Sequence, residues 1–142
     1  MAPRFYYFDV GITNHLLRRR NLKQGSPEYG KAFEHFIIQE LYAYTNYMGI
    51  EPGLSYWRTV SGFEVDAVLG DARIGIEIKS SKEIHSHHLK GLKAFAEEHP
   101  DSRTIVVSNE QNKRITGKIE VFPVQEFLHE LWEGTITNNQ TL

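Results

Sequence analysis

The residues best suited to chemistry are Glu34, Asp66, Glu77 and Lys79. Asp66 and Glu77 stand in two short stretches, Phe63–Leu69 and Arg73–Lys79, joined by Gly70-Asp71, a tight-turn dipeptide. A two-residue loop there pairs Leu69 with Ala72, and the register that follows sets Ala67 against Ile74, Val65 against Ile76 and Phe63 against Ile78. That face is wholly apolar. On the other face Val68 meets Arg73, Asp66 meets Gly75 and Glu64 meets Glu77, with Lys79 one step further along the same side. Like charges directly across a ladder repel, so Glu64 and Glu77 call for a nearby cation, and Gly75 leaves space beside Asp66. At helical spacing Glu34 lies near Ile37, Ile38 and Leu41, so it points toward packed structure. An unpaired charge there is costly, and a buried Lys, a cluster of backbone N–H groups or a metal ion must compensate it. A hard divalent ion fits best. Mg²⁺ takes oxygen from one or two carboxylates, keeps several waters and completes its shell with phosphate oxygens, which suggests a phosphate ester or phosphodiester substrate. The competing reading is a solvated sheet face with Glu77–Lys79 and Asp66–Arg73 as surface pairs.

Several elements must position these groups. Phe5-Tyr6-Tyr7-Phe8 reads as a short buried strand, followed by Asp9 as a helix cap and a helix near Val10–Arg19. A strand so close to the terminus reads as the remainder of a longer chain, and its exposed edge gives the expectation of a homodimer. Ser26-Pro27-Glu28 is a helix start, and Phe33, Ile37, Leu41, Tyr44 and Met48 follow the spacing of a buried stripe in a helix reaching about Met48. Strands are expected at Leu54–Val60, Phe63–Leu69 and Arg73–Lys79, forming an antiparallel meander, then a helix at His87–His99. Thr104–Ser108 and Lys118–Phe122 read as further strands and Val124–Trp132 as a last helix. Residues 1–133 make one domain, and 134–142 a polar, frayed tail.

Composition narrows the function. The 142 residues are 40% hydrophobic, 12% aromatic and 24% charged, which excludes a disordered or fibrous chain. No apolar run approaches the length of a membrane span, no signal peptide is visible, and the expectation is a cytoplasmic protein without a membrane partner. With no cysteine, any metal must be held by oxygen or imidazole. The net charge of −2 argues against a surface that coats nucleic acid, although Arg4, Arg18, Arg19, Arg20, Lys23 and Lys31 make one end basic. Arg18, Arg19, Arg58, Lys82, Lys90 and Lys93 are candidate contacts to a nucleic-acid backbone, with a solubilising surface as the alternative. Trp57 suits stacking on a base but more often belongs to a core.

Two patterns mislead. Gly25 to Lys31 matches the start of a P-loop, but Ala32 replaces the hydroxyl that must hold Mg²⁺ and no strand precedes it. His85, His87 and His88 lie too close in sequence for more than two to converge on a metal, and read as a polar helix start.

A helix carrying Glu34, then Glu64-Val65-Asp66 on one strand and Ile76-Glu77-Ile78-Lys79 on the next, resembles the PD-(D/E)XK nuclease superfamily, whose core runs helix, three strands, helix, strand. The segments Tyr7-Phe8-Asp9-Val10-Gly11, Gly30-Lys31-Ala32-Phe33-Glu34, Tyr56-Trp57-Arg58, Ile76 to Ser81 and Leu89 to Phe95 resemble, more specifically, the DUF4143 family. That domain usually forms the C-terminal part of bacterial and archaeal AAA-type ATPases, and the ATPase portion is absent from this chain. The resemblance implies an α/β fold with a restriction-endonuclease-like core, a mixed central sheet flanked by helices. It implies that Asp66, Glu77 and the Ile78 carbonyl bind Mg²⁺ or Mn²⁺, with Glu34 as a further ligand and Lys79 acting on the attacking water or on phosphate charge. Val65 stands where the superfamily pattern has Pro. The expected function is a divalent-metal nuclease domain acting on nucleic acid, with DNA the expected form. The alternative is a non-catalytic module that binds nucleic acid or a partner for the ATPase.

Overall fold

A computed structural model describes residues 22–137. The expected strand at Phe5–Phe8, the helix near Val10–Arg19, and Arg18 and Arg19 lie outside the described residues. The chain forms an α/β fold: a mixed six-stranded sheet in the order β1-β2-β3-β4-β6-β5, packed between helices.

Helix α1, Pro27–Met48, begins where its chemistry demands. The Ser26 side chain accepts the Tyr29 N–H at 3.1 Å, and Pro27 opens the first turn, where its missing N–H is no loss. The helix stops at Gly49, whose positive φ of 67° returns its N–H to the last turn. Tyr29, Phe33, Ile37, Leu41 and Tyr44 form the buried stripe, whereas Met48 is exposed.

Strands β1 (Leu54–Arg58), β2 (Glu64–Leu69) and β3 (Ile74–Ile78) make the antiparallel meander. A single 3-10 turn, Ser86–Leu89, leads into helix α2, Lys90–Glu98, which returns the chain to β4, Arg103–Ser108, parallel to β3. The short strand β5, Arg114–Thr116, turns through Gly117 into β6, Ile119–Pro123, which lies parallel to β4. Helix α3, Val124–Glu133, closes the fold.

Two apolar layers cover the sheet. On one face Ala67, Leu69, Ile74, Ile76, Ile78, Ile105 and Val107 pack against the stripe of α1 and against Phe127, Leu128 and Leu131 of α3. On the other, Val65, Val68, Val106 and Val121 pack against Leu92 and Phe95 of α2. The strand β4 is apolar on both faces because both are covered. Helix α2 sits very close to the sheet: a Cβ on Gly91 would collide with the Glu64 carbonyl, and one on Gly75 would lie 2.8 Å from the Phe95 ring. The space at Gly75, expected beside Asp66, is filled by Phe95 and Leu92.

Two irregularities overturn the expected hairpin. Leu69 pairs with Ile74, so the connection is Gly70 to Arg73, four residues and not two, with left-handed φ at Gly70 (67°) and Ala72 (55°). The register is displaced by two residues, and continuing it beyond Ala67 and Ile76 sets Asp66 across from Glu77 in place of Gly75. Across from β1, Tyr56 alone faces both Asp66 and Ala67, since Trp57 pairs with Val65 and Ser55 with Val68. This bulge moves Val65 to the α2 face, away from Ala67, and bends β2 at Asp66. Phe63, expected on the same apolar face, is 40% exposed.

The first residues of the expected tail are packed. Ile136 is fully buried, the Tyr44 and Thr137 hydroxyls share a hydrogen bond of 2.7 Å, and Arg103 donates to the carbonyls of Thr135 and Ile136.

Candidate functional site

Asp66 comes from the bulge within β2, Glu77 and Lys79 from the end of β3, and Glu34 from the second turn of α1. Asp66 is the hub. Its carboxyl is hydrogen-bonded to those of Glu34 and Glu77, and its Oδ2 accepts the Ile78 N–H at 2.8 Å. The bulge explains the last bond: where β2 leaves the regular ladder, a side chain satisfies an amide that a strand partner would otherwise take.

Glu77 is 9% exposed. Burial first, then the hydrogen bond and negative charge of Asp66, push its carboxyl up to about 9, while the Lys79 ammonium pulls the other way. Glu34 is also raised, by burial and then by Asp66, again opposed by Lys79. At neutral pH Glu77 therefore holds a proton, and carboxyl bonds to carboxyl across a shared hydrogen. Lys79 is half-buried, and its backbone N–H donates to the Val107 carbonyl at 3.0 Å, which fixes the residue at the exit of β3.

The four central candidates are thus together, while the expected fourth carboxylate, Glu64, is not. It is exposed and pairs with Arg58 at 3.2 Å, because the shifted register carries it away from Glu77. Among the described residues, no group of three His, Asp or Glu side chains is disposed to hold a metal ion. Ile78 touches the cluster through its N–H, which donates to Asp66.

The peripheral candidates separate. Arg58 is exposed, lies 5.6 Å from the Tyr56 ring centre and is engaged with Glu64. Trp57 is structural: its indole N–H donates to Glu98 at 2.7 Å and its edge meets Phe95. Lys82, on the segment between β3 and α2, and Lys90, the first residue of α2, are exposed, whereas Lys93 lines a different cleft with Thr104, Thr116 and Ile119, at the opposite ends of β4 and β6. The three histidines do cluster, with the His87 and His88 ring centres 4.0 Å apart and His85 5.9 Å from each. The 3-10 turn accounts for this, since residues three apart eclipse one another there. His88 accepts the His85 backbone N–H at Nδ1, and burial and then the charge of its neighbours, Lys79 among them, hold its pKa down.

Sequence reasoning missed Asn109. Its side-chain amide donates to the Ser80 carbonyl at 2.8 Å and its backbone N–H to Ser81, clamping the segment that follows Lys79 onto the end of β4. An Asn just past a buried strand was the available signal, but its partner is 29 residues away.

With this geometry in place, the chain matches the family described as "Domain of unknown function (DUF4143)" over residues 29–127, which include all four central candidates. The chain belongs to that family. No curated protein and no solved structure matches it. Among the described residues, no helix is long and apolar enough to cross a membrane.

Proposed function

We propose that the domain is a divalent-metal-dependent nuclease that hydrolyses phosphodiester bonds of nucleic acid, DNA in the first instance, in the manner of the PD-(D/E)XK superfamily. The observation that carries the reading is Glu77, a buried acid whose hydrogen-bonding partner is a second acid, beside a lysine. A structural carboxylate gains nothing from such a neighbour, whereas a cation site requires one. The order helix, three strands, helix, strand, with β3 and β4 parallel, supports a restriction-endonuclease-like core.

The donor set is all oxygen and so fits Mg²⁺ or Mn²⁺. Asp66 and Glu77 would hold the ion, with Glu34 bound directly or through water, once the proton on Glu77 is given up. A bound ion supplies charge to the phosphate and lowers the pKa of its water. Lys79 presents its ammonium to a phosphate oxygen as charge builds there. A water oxygen forms the new bond to phosphorus, one bridging P–O bond breaks, and the leaving oxygen takes up a proton. An attached AAA-type ATPase would deliver the strand, and the exposed Lys82 and Lys90 would meet its backbone.

A second reading, a non-catalytic nucleic-acid or partner-binding module of that ATPase, is favoured by one observation: the carboxyl groups bond to one another and are not splayed around a common point. Incubation of the full chain with labelled single- and double-stranded DNA in Mn²⁺ separates the two. The nuclease reading expects cleavage that falls about 10³-fold, or about 4 kcal/mol, in Asp66→Asn and Glu77→Gln; binding to DNA with no cleavage in the wild type contradicts it and leaves the second reading standing.

A further inference from the structure

Next to the carboxylate site the structure holds an open cleft of about 820 Å³, lined by Lys82, Glu83, Ile84, Asn109, Gln111, Asn112 and their neighbours Glu110 and Arg114. It lies where the segment leaving β3 meets the loop leaving β4, and Asn109 joins it to the segment carrying Lys79.

Its walls are braced. Glu110 accepts the Ile84 N–H at 2.7 Å and accepts from Arg114 Nε and Nη2, while Arg114 donates back to the Ile84 carbonyl at 2.9 Å. Both backbone groups of Ile84 are therefore bound from across the cleft. Arg114 and the hydrogen bond it gives keep the Glu110 carboxyl below the usual range, so the pair stays ionised and closed. A concavity fixed in this way does not need ordering when it is filled.

The charge of the lining decides what fits. Arg114 is matched by Glu110 within the pair, and Lys82 stands beside Glu83. A phosphate needs a net positive site, and these matched charges do not make one. What remains is a neutral cleft with two exposed carboxamides, Gln111 and Asn112, each carrying donor and acceptor, beside Ile84 and an Asn109 whose amide is held by Ser80 and Tyr29. That is the chemistry of a nucleobase edge. Bases within a duplex cannot enter a concavity unless they are first unstacked and unpaired, which is easiest in a strand that is already single.

We propose that this cleft receives a base of an unpaired strand whose backbone passes Lys79, so that the domain selects single-stranded over duplex nucleic acid. The proposal rests on the nuclease reading for the path of the backbone, but its test does not depend on cleavage. In buffer without divalent cation, fluorescence anisotropy of a short labelled DNA strand and of the same sequence as a blunt duplex is measured with the wild type, Glu77→Gln and the double variant Gln111→Ala/Asn112→Ala. Gln111 and Asn112 are exposed, and unchanged melting confirms that the double variant folds.

The single strand is expected to bind about tenfold more tightly than the duplex, and the double variant to lose that preference while Glu77→Gln keeps it. Equal affinity for the two forms, or a double variant that retains the preference, overturns the proposal. Mn²⁺-dependent cleavage of both forms alike would then leave the nuclease reading intact. A preference that depends on Gln111 and Asn112, with no cleavage in Mn²⁺, upholds the cleft and removes the nuclease.

Discussion

Helix α1 carries two buried or half-buried acids that answer the same problem differently. Glu40, 5% exposed, accepts the indole N–H of Trp132 at 3.1 Å, and burial lifts its carboxyl to about 7. Glu34, six residues earlier, meets Asp66 and through it Glu77. Burial alone raises a carboxyl wherever it occurs, so a perturbed pKa does not by itself mark a site. The partner makes the difference. A neutral donor completes Glu40 and ties α1 to α3, whereas the acids of the other cluster face one another and share a proton, with the Ile78 N–H donating to Asp66.

The largest test of that contrast is stability against pH in the absence of metal. For Glu77 the folded state holds its proton to about 9 and the unfolded state only to the ordinary value of 4.5. Between those limits the unfolded chain binds fewer protons, so stability falls as pH rises, and it levels off above the upper one. Glu77→Gln removes the titration. It is expected to stabilise the metal-free protein at about pH 8 by roughly 1–3 kcal/mol, read by urea unfolding, while abolishing cleavage. A variant less stable than the wild type at that pH would make Glu77 an ordinary structural acid.

Glu40 gives the same sign over a narrower window, from 4.5 to about 7. Glu40→Gln keeps an acceptor for Trp132, and with partial solvent screening it is expected to add about 1 kcal/mol above neutrality. Activity should not change. Loss of cleavage in this variant would erase the distinction between the two acids.

A smaller and purely structural effect is expected at Gly75. A methyl group there presses on Phe95 at 2.8 Å, and Gly75→Ala should cost about 1–3 kcal/mol in denaturant unfolding. Native stability in that variant would mean that α2 is free to move off the sheet.

How far these regions were legible in the sequence follows from how local their causes are. Ser26-Pro27 announces α1 because capping and the fixed φ of proline act within one turn, and the alternating and continuous apolar runs announce β1 to β4 for the same reason. The four central residues were legible from their types and from the family resemblance. Their geometry was not. It depends on Ala72 adopting a left-handed φ, which a non-glycine residue gives no sign of, and on a bulge set by how β1 meets β2. The strand β5 is only three residues long, too short to show periodicity. Glu40 and Trp132 lie 92 residues apart, too far for any local pattern to join them.

The central claim, that the proton shared by the carboxyl cluster stands where a divalent ion binds, is tested most directly by Mn²⁺ titration calorimetry at neutral pH in two buffers of different ionisation enthalpy. The account predicts binding that releases about one proton per ion in the wild type and is lost in Asp66→Asn. No binding, or binding without proton release that Asp66→Asn leaves unchanged, would contradict it.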